Sequence, residues 1–292
     1  MDIGIVYPQT EYGSDPKAIR DFAQAAEGLG FTHISAYDHV LGANPHRPGG
    51  WDGPYTHESA FLEPFVLFSY MAGVTESIGF FPGVVILPQR QTALVAKQAA
   101  CLDVLSGGRL RLGVGIGWNA VEYEALGQDF HRRGQRLEEQ VALLRALWTS
   151  PLVTFKGTWD TVSDAGLNPL PIQRPIPIWF GGHAERALRR LALLGDGWLT
   201  TSRSPQETLP ALNTLRTFLR EGHRDAASFG IEARVAYSQG GPKEWQSLSR
   251  AWQSAGVTSL SLITMGAGLN TASDHLAAME EFAKAMGISR SG

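Results

Sequence analysis

Residues Arg109 to Gly127 read RLRLGVGIGWNAVEYEALG. Within this stretch, Gly115-Ile116-Gly117-Trp118-Asn119-Ala120 has the spacing G-x-G-x-x-A and follows a strand-like apolar run, the outline of a dinucleotide-binding turn. Such a turn also needs a helix opening at the third small residue and an acidic residue about 20 positions further on, at the end of the next strand. Here the chain continues WNAVEYEALGQDFHRRG, an aromatic-rich loop or short helix, and the acids near position 138 fall inside a helical repeat. The fingerprint reading fails. Gly115 and Gly117 read instead as the mouth of a strand, where missing side chains let a flat ring approach the backbone; simple turn glycines are the plainer alternative.

Outward from this strand, apolar runs alternate with helical periodicities along the whole chain. DIGIVY, THISAY, SIGFFPGVVIL and RLRLGVG each precede a helical segment in the first half, and IPIWFGG, DGWLTT, IEARVAYS and VTSLSLI do so in the second. The helical faces are explicit: Leu137, Val141, Leu144 and Trp148 recur at i, i+4, i+7 and i+11, with Glu138, Glu139 and Arg145 mostly opposite. The strands are short, β-rich and nearly continuously apolar, as parallel strands covered on both faces are. Eight such units, where barrels run to roughly 250 residues plus insertions, predict one α/β domain over 1–292, a (β/α)8 TIM barrel. A doubly wound sheet is the alternative.

Three segments are longer than connections require. Residues 41–59 follow the second strand, 118–132 follow the fourth, and 150–175 follow the fourth helix. The first two lie at the carboxyl ends of strands, where barrel enzymes keep their chemistry. The third carries strand-like LVTFKG and a Pro-rich return, NPLPIQRPIP, which predicts an inserted hairpin. In the first, Pro45, Pro48, Gly49, Gly50, Gly53 and Pro54 disfavour regular structure while Trp51 and Tyr55 offer apolar faces, so it reads as a lid.

A formal net charge of −3 supplies no basic field for nucleic acid or an anionic membrane, and neither partner is expected. Cys101 is the one cysteine, which excludes an intrachain disulfide; in an amphipathic helix it reads as a buried structural thiol. No leader or spanning segment is recognisable, and a cytoplasmic location is expected. The eight histidines show neither H-x-H nor H-E-x-x-H spacing, so no metal is expected, and the absence of G-x-S-x-G leaves serine hydrolysis unsupported.

The run LDVLSGGRLRLGVGIGWNAVEYEALG followed by HRRGQRLEEQ, with AYDHV after the second strand, GVVILPQR at the third, and PIPIWFGG then GDGW, closely resembles the bacterial luciferase-like monooxygenase superfamily, best its coenzyme F420-dependent oxidoreductase branch. The resemblance covers about residues 2–200. It implies a barrel with insertions that holds a flavin or deazaflavin across the carboxyl ends of the strands, and a small-molecule substrate; a homodimer is the assembly considered.

On that resemblance His39, in AYDHV, lies beside the reactive ring and donates to it or to a substrate carbonyl; pairing with Asp38 or a loop carbonyl is the structural alternative. Gly83 and Val84 fall where family members often carry a non-prolyl cis peptide packed against the ring. Gly181 and Gly182, ahead of a helix, are the implied phosphate site, since free amides at a helix N-terminus bind phosphate; the rival is Gly240-Gly241. Trp118, Asn119, Glu122 and Tyr123 form the loop after the fourth strand, and a helical segment there would put Trp118, Glu122 and, less directly, Asn119 on one side. Glu122 is a candidate acid or base, with an ion pair to Arg132, Arg133 or Arg136 as its structural alternative. A sugar-phosphate dehydrogenase of this group carries its acid immediately after the strand-four glycines, where this chain has Trp118, so that substrate is not expected. Three functions follow: hydride transfer between C5 of F420 and a small organic substrate, an FMN-dependent two-component monooxygenase, or a non-catalytic flavin-binding protein.

Overall fold

In the computed structural model, which describes residues 1–289, the short apolar runs become parallel strands, and the polar-faced repeats between them become helices. The strands are β1 Asp2–Val6, β2 His33–Ala36, β3 Gly79–Pro82, β4 Val85–Ile86, β5 Leu112–Gly115, β8 Ile178–Gly181, β9 Gly197–Leu199, β10 Gly230–Ala236 and β11 Ser259–Ile263. They form one nine-stranded sheet in the order β3-β2-β1-β11-β10-β9-β8-β5-β4. Its two ends are successive pieces of one chain segment, interrupted at the cis peptide Gly83–Val84. SIGFFPGVVIL, read as one strand, is therefore two. The ends meet where Phe80 bridges to Leu110, with Phe80 N donating to Arg109 O and Arg111 N to Phe80 O, and the sheet curls into a nearly closed barrel with eight strand positions.

Local chemistry explains the helix boundaries. The helix Pro16–Leu29 (α2) opens with proline at its first position and the Asp15 carboxylate accepting from Lys17 N, and it stops at Gly30, whose φ is 90°. The helix Arg133–Thr149 (α6) buries Leu137, Val141, Leu144 and Trp148 against the barrel, and the Trp148 indole donates to Ala96 O at 3.0 Å. Residues 150–175 contain the hairpin of β6 Val153–Lys156 and β7 Thr161–Ala165, paired antiparallel. Cys101, on the helix Thr92–Leu105 (α4), is half-buried rather than buried, because it lies at the edge of the helix face that packs inward.

The barrel interior near the amino ends of the strands is ionic. Glu232 of β10 accepts from the guanidinium of Arg111, from Ser261 Oγ at 2.7 Å, and sits 3.2 Å from His33 Nε2. Arg111 is sandwiched between the rings of Phe81 and Trp179, 4.1 Å from each centroid. Burial opposes ionisation of Glu232, yet His33 and Arg111, with the Ser261 hydroxyl, outweigh it and hold the carboxyl at about 2.

Candidate active site

At the opposite, carboxyl end of the strands lies a cavity of about 470 Å³, of the size small-molecule sites have. Its floor is apolar. Val84, at the break between β3 and β4, is flanked by Gly115 and Gly181, and Ile86 lies beside Gly117. A Cβ on Gly115 would stand 2.6 Å from Val84 Cγ2, and one on Gly117 would stand 2.7 Å from Ile86 Cγ2. The space these glycines leave is thus filled by Val84 and Ile86, and not by a ring lying directly on the glycine backbone. What the glycines permit is a low, smooth floor with Val84 at its centre.

His39 and Glu122, 83 residues apart, meet on one wall. His39 follows β2, and Glu122 lies in the short helix Ala120–Ala125 (α5), capped by the Asn119 side chain, which accepts from Val121 N. His39 Nδ1 is 3.1 Å from Glu122 Oε1. Because a carboxylate only accepts, Nδ1 carries the hydrogen, and Nε2 makes no hydrogen bond among the described residues. Glu122 also accepts from Val40 N, Leu41 N and, through Oε2, from Gln89 Nε2 at 3.1 Å. Burial opposes its ionisation, but the hydrogen bonds from His39 and Gln89 prevail and keep its carboxyl below the ordinary range. The arginines at 132, 133 and 136 make no ion pair with it, because α5 turns Glu122 inward beneath the loop instead of toward α6. Nor does Asp38 pair with His39: it takes Arg90 at 2.7 Å and the Ile86 amide at 2.9 Å, tying β4 to the end of β2.

Of the residues singled out from the sequence, His39, Gly83, Val84, Gly115, Gly117, Trp118, Asn119, Glu122, Gly181 and Gly182 all line this cavity. Tyr123 does not: it is buried behind the wall, its hydroxyl donating to Ile116 O at 2.7 Å and its ring edge-on to Phe130. The reading overlooked Tyr37, His183, Thr201 and Arg234, which also face the cavity. Gly182 has φ 124°, and the helix Glu185–Leu194 (α7) that follows has no side-chain cap at Ala184. At the rival turn, Glu244 Oε2 already accepts from Gly241 N at 3.0 Å, and neither glycine lines the cavity. A carboxylate there repels an anion.

The long loop at 41–59 folds over the mouth. Its ends are tied by the Ala43–Thr56 bridge and by Asn119 Nδ2 donating to Leu41 O, and the Trp51 indole donates to Tyr55 O at 2.7 Å. Tyr55 and Phe61 lie 4.8 Å from the His39 ring and Trp118 lies 5.7 Å away; Trp51 stacks near Trp118. The tip at Gly49 and Gly50 is exposed. If this loop is a lid, a protease of broad specificity cuts at the tip in free protein and more slowly once cofactor or substrate is bound. Equal rates would make it a fixed rim.

The fold is a parallel barrel whose cavity lies at the carboxyl ends of the strands, the place where barrel enzymes keep their chemistry. The chain belongs to the luciferase-like monooxygenase family, whose model matches residues 1–287. An uncharacterized protein of Mycobacterium tuberculosis is 37% identical over 191 residues, 63% of this chain and 65% of that protein, so the chain spans less than two thirds of this relative's length. The FMNH2-dependent dimethylsulfone monooxygenase of Pseudomonas putida is 30% identical over 221 residues, 74% of this chain and 57% of that enzyme. The coenzyme F420 dependent tetrahydromethanopterin reductase of Methanopyrus kandleri superposes with a TM-score of 0.78 over 97% of each chain at 15% identity, a likeness of fold. No helix among the described residues is long and apolar enough to cross a membrane.

Proposed function

We propose that this chain is an F420-dependent oxidoreductase that passes a hydride between the deazaflavin and a small organic substrate. The observation that carries the reading is the His39–Glu122 pair on the cavity wall, with the histidine at the motif position that lies beside the ring in the F420-dependent enzymes this sequence resembles. The cavity fits a flat ring system: an apolar floor at Val84, Ile86 and Leu199, with a few polar side chains, among them His39, Glu122 and Arg234, around it. Val84, Gly115 and Gly181 would support the ring, and the uncapped start of α7 beside Gly182 would take the cofactor phosphate. When bound, F420 supplies a carbon that carries hydride and reacts poorly with dioxygen.

The chain's own contribution is positioning and proton transfer. Glu122 fixes the tautomer and ring plane of His39, leaving Nε2 to take or give a proton at the substrate as hydride moves. The rings of Tyr55 and Trp118 flank the imidazole, their centroids 4.8 and 5.7 Å from its own.

A second reading, an FMN-dependent monooxygenase, is favoured by the identity with the Pseudomonas putida enzyme. The two differ in their need for dioxygen. Under strict anaerobiosis, with F420 supplied, a panel of alcohols and aldehyde- or enone-type oxidants is expected to include one that is turned over. Turnover only with FMN and dioxygen would establish the second reading instead.

A further inference from the structure

Glu232 and Arg234 are two residues apart on β10, so strand alternation turns both side chains into the barrel, one layer apart. Glu232 belongs to the ionic layer below. Arg234 lies in the layer that faces the cavity and reaches across it: Nη1 donates to Tyr37 Oη and Nη2 to Gly83 O, both at 3.1 Å, and the guanidinium stands 4.9 Å from the Tyr37 ring centre. It makes no ion pair with a carboxylate among the described residues, and its buried Nε has no partner.

The other charged groups on the cavity wall have hydrogen-bonding partners of their own. Asp38 is held by Arg90 and Glu122 by His39, while Thr201 N donates to His183 Nε2, which marks that ring as an acceptor there. Arg234 is the one arginine or lysine lining the cavity among the described residues, and it stands beside an apolar floor and aromatic side chains with no carboxylate paired to it. Withdrawing a cation from water without a counter-ion is unfavourable, and a ligand anion relieves it. The planar guanidinium, with donors left over after Tyr37 and Gly83, suits a planar oxyanion.

We propose that Arg234 receives a carboxylate, or an oxyanion of similar size, on the organic substrate, so that the enzyme acts on anionic small molecules and discriminates against their neutral counterparts. This rests on reading the cavity as the substrate and cofactor site. The apolar part of such a substrate would lie against Tyr37, Tyr55 and Trp118.

The test is calorimetric titration of the full chain, alone and loaded with F420, with phenylacetate and with phenylacetamide, its uncharged match in shape. Phenylacetate is expected to bind at least about tenfold more tightly, the size of a charge-assisted hydrogen-bonded contact. In Arg234→Gln the preference is expected to fall to within about twofold, and Arg234→Lys is expected to keep part of it. Equal affinities for wild type, no measurable phenylacetate binding, or an undiminished preference in Arg234→Gln would overturn the proposal. The wild-type comparison stands without any variant, so a folding defect in Arg234→Gln does not remove the test. If Arg234→Gln lost F420 binding and kept the preference, the guanidinium would belong to the ring, which also overturns it. A carboxylate preference in wild type with no F420 binding would defeat the cofactor reading alone.

Discussion

Replacing His39 with alanine is expected to lower turnover by about 10²- to 10⁴-fold, the usual contribution of a positioned acid or base. Cofactor affinity is expected to stay within about tenfold, because the floor at Val84 and the start of α7 remain intact. Single-turnover kinetics beside a binding titration separate the two effects. A collapse of affinity together with turnover would make His39 a binding group, and unchanged turnover would make it a loop anchor. Glu122→Gln sharpens the case. The carboxylate uses both oxygens as acceptors, Oε1 toward His39, Val40 N and Leu41 N, and Oε2 toward Gln89. An amide has one acceptor oxygen, so one set must break. As a positioning residue, Glu122 is expected to alter the pH profile of kcat and to lower it less than His39→Ala does. A merely structural role would lower the melting temperature of the variant and leave the pH profile alone.

Glu232→Gln is expected to cost about 3–5 kcal/mol of stability at neutral pH, the range seen when one partner of a buried ion pair is removed. The change leaves the Arg111 guanidinium inside the barrel without its carboxylate. The pH dependence has a definite sign. The folded carboxyl sits at about 2, below its ordinary value of 4.5, so the ionised form favours the fold. Its contribution is fully present above pH 4.5 and is lost as pH falls toward 2. Urea unfolding of wild type and variant should therefore differ most at neutral pH and converge in acid. A difference under about 1 kcal/mol at pH 7, or one that does not shrink on acidification, would contradict this account of the ionic layer.

The barrel was legible because its signal is repeated: eight apolar runs, each followed by a helical stripe such as that of Leu137, Val141, Leu144 and Trp148, leave few alternatives. The break inside SIGFFPGVVIL was marked by Gly83, but the hydrogen bond from Ile86 N to Asp38 that ties the second piece to the end of β2 is a contact between distant segments. His39 and Glu122 were both nominated, yet not each other's partner. Local spacing favours the nearby arginines, whereas the order of strands around the barrel brings the end of β2 and the helix after β5 to one wall. Tyr123 shows the converse limit: one residue beyond Glu122 on a short helix, it points away from the cavity, and its neighbour's role does not extend to it. Arg234 had a signal that went unread. In IEARVA, two charged residues at i and i+2 share one face of a strand, and inside a barrel that face is the interior.

The central claim is that the cavity over Val84 holds a deazaflavin. Titration of the purified chain with F420 and, separately, with FMN, followed by fluorescence, tests it directly. F420 is expected to bind more tightly than FMN, with affinity reduced when α7 loses its approach through substitution of Gly182 by a bulky β-branched residue. Micromolar or tighter binding of FMN together with no binding of F420 would contradict the account.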